Sequence, residues 1–100
     1  MSGGIVSMKI EQTPAFKRDL KRYKKKHYNI SKLRTVVEYI AKRNTNLLQT
    51  KYKDHSLTGD WQGYRELHIE SDWLLIYRID NNVIKLVLTR MGKHDDLFHH

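Results

Sequence analysis

Apolar positions recur along the first half of this chain with a helical period and along the second half with the alternation of strands. Thr13-Pro14 has the form of a helix start: threonine can cap, and proline is tolerated at the first helical position because its missing N–H had no partner to lose. Phe16, Leu20, Tyr23 and His27 then fall at i, i+4, i+7 and i+11, one stripe of an amphipathic helix. Asn29-Ile30-Ser31 interrupts the stripe, with Ser31 as a second cap. Leu33, Val36, Val37, Ile40 and Asn44 continue the period, so the two helices are expected to pack as an antiparallel hairpin. Ahead of them, Ile5 to Glu11 reads as a strand.

Beyond residue 60 the period becomes two. Arg65, Leu67 and Ile69 point one way, and Tyr64, Glu66, His68 and Glu70 the other. Residues 73–79, WLLIYRI, are apolar on both faces, as a central strand requires. Asn81-Asn82 fits a two-residue hairpin turn because asparagine tolerates positive φ. Ile84, Leu86 and Leu88 then share a face opposite Lys85, Val87 and Thr89, Gly92 ends the strand, and HDDLF forms a terminal turn. The pattern predicts a single α+β domain over residues 1–100: β-α-α-β-β-β, a small twisted antiparallel sheet with an N-terminal helical hairpin on one face.

Charge changes this picture. The chain has 19 Lys and Arg against 11 Asp and Glu, a net charge of +8. Residues 14–34 hold all of that excess, through Lys17, Arg18, Lys21, Arg22, Lys24, Lys25, Lys26, Lys32 and Arg34 against Asp19. A concentrated basic segment is the electrostatic footprint of a polyanion or an acidic protein partner. With no cysteine there is no disulfide framework and no thiolate chemistry, which fits a reducing cytoplasm. No run approaches the roughly 18 apolar residues of a membrane span, and MSGGIVSMKI has no secretory apolar core. Met8 offers a second start, which would make residues 1–7 a leader, and His99-His100 has the composition of a tag remnant; no site is assigned to either.

The run YKDHSLTGDWQGYRELHIESDW, residues 52–73, concentrates imidazoles, carboxylates and large aromatics. If Leu67 and Ile69 face the helices, His68 faces the other side of the sheet. Asp72 follows at the next turn, His55 lies in the loop entering the strand, and His94 lies just past the last strand. These groups suit acid–base work near neutrality. An RNA strand carries its own nucleophile, the 2′-hydroxyl; cleaving it needs a base, an acid at the departing 5′-oxygen and cations at the phosphate. Arg65, Arg78, Lys53 or Arg90 could supply that charge. Three histidines and an aspartate also suit a divalent metal, but no H-x-x-x-H or H-x-x-E-H spacing supports one, so neither metal nor cofactor is expected.

The same run, followed by TRMGKHDDLF, resembles the bacterial YafQ-type toxins of the RelE/ParE superfamily, and the likeness extends more weakly across the helices to cover residues 8–98. The resemblance implies a ribosome-dependent mRNA endonuclease held inactive by a cognate antitoxin, with two helices against a twisted antiparallel sheet. It places active residues at His55, His68, Asp72, Trp73, His94 and Phe98. His94 is then the expected general acid, His68 or Asp72 the base or its orienter, His55 the stabiliser of phosphate charge, and Phe98 a stacking surface. Trp73, Arg65 and Arg78 complete the expected substrate contacts, and Lys17, Lys21, Lys24, Lys25 and Lys26 would hold ribosomal RNA. Members close near the aromatic matching Phe98, whereas this chain adds two histidines. Two other classes remain open: ParE-like relatives that poison DNA gyrase by binding lack this His/Asp set, and a generic RNA-binding module would carry its histidines incidentally.

Overall fold

The computed structural model describes residues 8–98; the expectations for residues 1–7 and for His99 and His100 lie outside the described residues, as does the beginning of the strand expected from Ile5. The chain runs β1 (Lys9–Gln12), α1 (Pro14–Lys25), α2 (Ile30–Ala41), α3 (Thr45–Lys51), β2 (His55–Ser56), a 3₁₀ turn (Gly59–Trp61), β3 (Arg65–Glu70), β4 (Trp73–Asp80), β5 (Lys85–Gly92) and α4 (His94–Leu97). The five strands form one sheet in the order β1-β5-β4-β3-β2. β2 to β5 are an antiparallel meander, but β1 lies parallel to β5, so the sheet is mixed rather than wholly antiparallel. Side-chain alternation marks the faces of a strand and is silent on the direction of its neighbour.

Local chemistry sets the helix ends. Thr13 caps α1 by accepting from the Phe16 N–H at 3.0 Å. Asn29, not Ser31, caps α2, accepting from the Ser31 N–H at 3.2 Å. His27 is not the fourth member of the α1 stripe: it adopts φ 63° just past the helix, and the Tyr28 N–H returns to the Tyr23 carbonyl. That is the left-handed helix stop usually given to glycine, and it delivers Tyr28 to the core in place of His27. Arg43 (φ 56°) ends α2 in the same way, so Asn44 stands at the start of α3, without a capping side-chain hydrogen bond, instead of extending α2. The third helix is too short for periodicity to reveal. The final hairpin also differs, because Asn81 to Ile84 form the turn and Ile84, exposed at φ 50°, takes the conformation expected of an asparagine.

The main core lies between helices and sheet. Phe16, Tyr23, Leu33, Val36, Ile40 and Leu48 meet Leu67, Trp73, Leu75, Tyr77, Leu86, Leu88 and Met91, all buried. Burial of each large apolar side chain contributes about 1.5–3 kcal/mol. The helices dock on the sheet more than on each other: α1 lies along β5 and α2 packs on α3 and β3. An apolar groove of about 940 Å³, lined by Phe16, Leu20, Ile30, Leu33, Val37 and Leu88, runs between them. The opposite face of the sheet is not bare as expected. Leu74, Ile76 and Leu97 form a second, smaller core with Leu57, Trp61, Tyr64 and Phe98 packed around it. Among the described residues no helix is long and apolar enough to cross a membrane.

Candidate active site

The site is built on that second face. In β3 the residues of alternate parity to Leu67 are Glu66 and His68, paired across the sheet with Ile76 and Leu74. The two-residue strand β2 sets His55 directly opposite Glu66. Cross-strand partners share a face, and the side chains meet: His55 Nε2 lies 3.4 Å from Glu66 Oε1, and His68 Nε2 lies 3.9 Å from the same oxygen. Glu66 is therefore the floor of a His–Glu–His row. Its side chain is 6% exposed, and its second oxygen, Oε2, is buried with no hydrogen-bond partner. The expected site omitted Glu66. Its register on the His68 face was the available signal, and what went unseen was that β2 would bring a second histidine against it.

The other ring nitrogens are fixed by backbone. His55 Nδ1 is 2.8 Å from the Lys53 carbonyl and His68 Nδ1 is 3.3 Å from that of Ser71. A carbonyl only accepts, so Nδ1 is the protonated nitrogen in both rings, and both Nε2 atoms are turned toward Glu66. His94 enters from the other side. Leu74 lies between His68 on β3 and Gly92 on β5 in the register, and two inter-strand spacings separate their backbones by about 10 Å. His94 follows Gly92 at the start of α4, exposed, with its ring 5.0 Å from that of Phe98. Phe98 rests on Trp61 at 6.1 Å, and Trp61 on Tyr64 at 5.3 Å. An aromatic shelf thus joins α4 to the entry of β3.

The remaining expected residues separate into two groups. Asp72 is exposed in the Ser71-Asp72 turn beside His68, whose ring is held by the Ser71 carbonyl. Arg78 is on the same face, 38% exposed and 3.9 Å from Asp80, four residues along β4 from Leu74 and so about 13 Å away. Trp73 and Arg65 are on the wrong side. Trp73 is 1% exposed, stacked on Tyr23 and edge-on to Tyr28 in the main core, so no substrate can reach it. Arg65 follows the parity of Leu67, and its guanidinium is engaged by Asp54 and Ser56. Arg90 is likewise occupied, donating twice to Asp19, whose hydrogen bond raises its pKa. Lys53 remains exposed next to His55, and Lys17, Lys21, Lys24, Lys25 and Lys26 are all exposed on or just past α1.

Two imidazoles and a carboxylate are also metal-ligand types, and a backbone carbonyl on each Nδ1 is how such ligands are commonly oriented. Among the described residues, however, no three potential ligands converge closely enough to hold an ion.

Comparison with known proteins identifies the family of the chain. The YafQ bacterial toxin family of type II toxin–antitoxin systems matches residues 8–99. The mRNA interferase toxin YafQ of Escherichia coli K12 is 35% identical over 94 residues, which cover 94% of this chain and 99% of that protein. YafQ in the crystal structure of the E. coli DinJ–YafQ toxin–antitoxin complex superposes with a TM-score of 0.80 at 34% identity, over 93% of this chain and 99% of that one. A metal-bound toxin from Helicobacter pylori has a TM-score of 0.84 at 37% identity, over 91% of this chain and 99% of that one. A basic α+β domain with a His–Glu–His row across one sheet face, matched to these proteins nearly end to end, belongs to the YafQ family of type II toxin–antitoxin toxins.

Proposed function

We propose that this chain is an mRNA interferase that cleaves mRNA on the cytoplasmic ribosome by attack of the RNA's own 2′-hydroxyl, and that a cognate antitoxin neutralises it. The observation that carries the chemistry is the His55–Glu66–His68 row facing His94 across Leu74. His68, with Nδ1 oriented by Ser71 and Nε2 free to accept, takes the 2′-hydroxyl proton as the oxygen bonds to phosphorus. Glu66 beneath it offsets the positive charge that His68 then carries. His55 and Lys53 stabilise the phosphate charge. His94 gives a proton to the departing 5′-oxygen, which leaves a 2′,3′-cyclic phosphate and a 5′-hydroxyl. Phe98, half-buried on the Trp61 shelf, offers a ring edge to a base.

The exposed lysines of α1 support contact with ribosomal RNA, an interaction that weakens with salt. The same lysines beside the apolar α1–α2 groove support an acidic or amphipathic antitoxin. The test is cell-free translation of a message with a single 2′-deoxy sugar at the mapped cut, run beside a His94→Ala protein. Loss of cutting in both arms is expected. Undiminished cutting of the deoxy message would reject the 2′-hydroxyl mechanism and favour a metal-activated water.

A further inference from the structure

The sequence buries an aspartate immediately before His55. The Asp54 side chain is 3% exposed, and it accepts from Arg65 Nε at 2.6 Å and from the Tyr77 hydroxyl. A buried carboxylate is costly unless it is paired and hydrogen-bonded, so its place here calls for a reason. The same guanidinium donates from Nη1 to Ser56 Oγ at 2.7 Å. One arginine on the helix-covered face therefore holds both neighbours of His55, while His55 itself projects through to the other face.

We propose that Asp54, held by Arg65 and Tyr77, is a positioning residue that sets the angle at which the His55 ring meets Glu66. The path is continuous. Lys53 adopts φ 56°, and its carbonyl in that conformation receives His55 Nδ1 at 2.8 Å. The next residue fixes that conformation from both ends of its own structure: the Asp54 N–H returns to the Leu48 carbonyl at 3.0 Å, and its carboxylate is tied to the sheet. With Asp54 released, the Lys53 carbonyl can turn, His55 loses the acceptor on Nδ1, and Nε2 is no longer directed at Glu66. β2 itself pairs over only two residues, and the flanking bonds to β3, from the His68 N–H to the Tyr52 carbonyl and from the Leu57 N–H to the Tyr64 carbonyl, leave Lys53 and Asp54 outside the ladder. The side-chain clamp stands in for the missing strand length.

The clamp has the permanence that positioning requires. Burial first, then the hydrogen bond to Asp54, push the Tyr77 hydroxyl up, so it stays a donor at any physiological pH. Burial alone would lower Arg65, but its bond to Asp54 raises it. A cavity of about 270 Å³ beside Asp54, Arg65 and Tyr77 leaves room for water to replace the Tyr77 hydroxyl, so Tyr77→Phe is the gentler perturbation.

The inference rests on the reading of His55 as part of the reaction, and the test separates the two. Asp54→Asn and Tyr77→Phe are made in the full chain, with and without His55→Ala. Cleavage of ribosome-bound message gives kcat and KM, and long-range ¹H–¹⁵N NMR of the imidazoles reports which nitrogen of His55 is protonated. Asp54→Asn is expected to lower kcat by about 10²-fold, the order of loss caused by a small misplacement of a reacting group, with KM little changed. The His55 ring signals should move from one tautomer to a mixture while those of His68 stay, and Asp54→Asn should add nothing in the His55→Ala background. Tyr77→Phe should move every reading in the same direction by less. Unmoved His55 signals, or an equal further loss in the His55→Ala background, would overturn the proposal. If Asp54→Asn does not fold, Tyr77→Phe decides by the same readings. If His55→Ala cleaves like wild type, the functional reading falls, and the NMR arm still decides whether Asp54 holds the ring.

Discussion

Replacement of Glu66 by glutamine should make the protein more stable and less active. The change keeps the volume and removes the charge at a carboxylate whose Oε2 is buried without a partner. An unsatisfied buried acceptor costs about 1–3 kcal/mol, more when charged, and the neutral amide recovers part of this. The two partly exposed histidines turn an accepting Nε2 toward Oε1, so they offset little of this gain in the resting protein. The expected net is a gain of about 1 kcal/mol in urea unfolding. During the reaction the balance reverses, because His68 acquires a full charge 3.9 Å from Oε1. Two unit charges at that distance attract by about 4 kcal/mol at an effective dielectric constant of 20. His68 is 32% exposed, and halving the attraction for solvent screening leaves about 2 kcal/mol, or roughly a 30-fold loss in the rate constant. Unfolding curves and mapped mRNA ends from cell-free translation read the two effects separately. Wild-type cleavage, or a loss of several kcal/mol in stability, would refute the reasoning and make Glu66 a structural residue.

Trp73→Ala removes an indole packed between helices and sheet and should cost about 3–5 kcal/mol, with cleavage per folded molecule close to wild type; a fully folded but inactive variant would return Trp73 to the substrate. Neutralising Lys21, Lys24 and Lys25 should weaken ribosome binding and flatten its salt dependence, by roughly 0.7–0.9 in log–log slope for each phosphate that is no longer neutralised. An unchanged slope would assign these lysines to another partner. Burial, with the Asp54 hydrogen bond, raises Tyr77, and burial raises Tyr23, so the folded state keeps both phenolic protons longer than the unfolded chain does. Their contribution is then fully present below the unfolded value of about 10 and is lost as pH rises beyond it. Urea unfolding between about pH 8 and pH 12 should show that decline, and Tyr77→Phe should reduce it; an undiminished decline in that variant would place its origin elsewhere.

What the sequence determined by itself is what periodicity and local chemistry carry. The stripe Phe16, Leu20, Tyr23 has one way to meet a core, and the doubly apolar run 73–79 can only be a central strand. Parity alone set His68 on the face opposite Leu67 and turned Arg65 toward the helices, although the expected role of Arg65 ignored its own parity. The basic character of α1 was legible because exposed charge requires no partner. Contacts between distant elements were decided only in three dimensions. The direction of β1 beside β5 depends on where the helices return the chain, and nothing in residues 9–12 encodes it. His27, Arg43 and Lys53 end helices in the left-handed conformation without the glycine that would have marked the stops; after His27 and Lys53 the packing of Tyr28 and Asp54 sustains it. Glu66 looked like one polar position in an alternating strand until β2 laid His55 across from it. Trp73 was a substrate residue only by the family resemblance; its place at the start of the doubly apolar run pointed to the core, and the helices do cover its side.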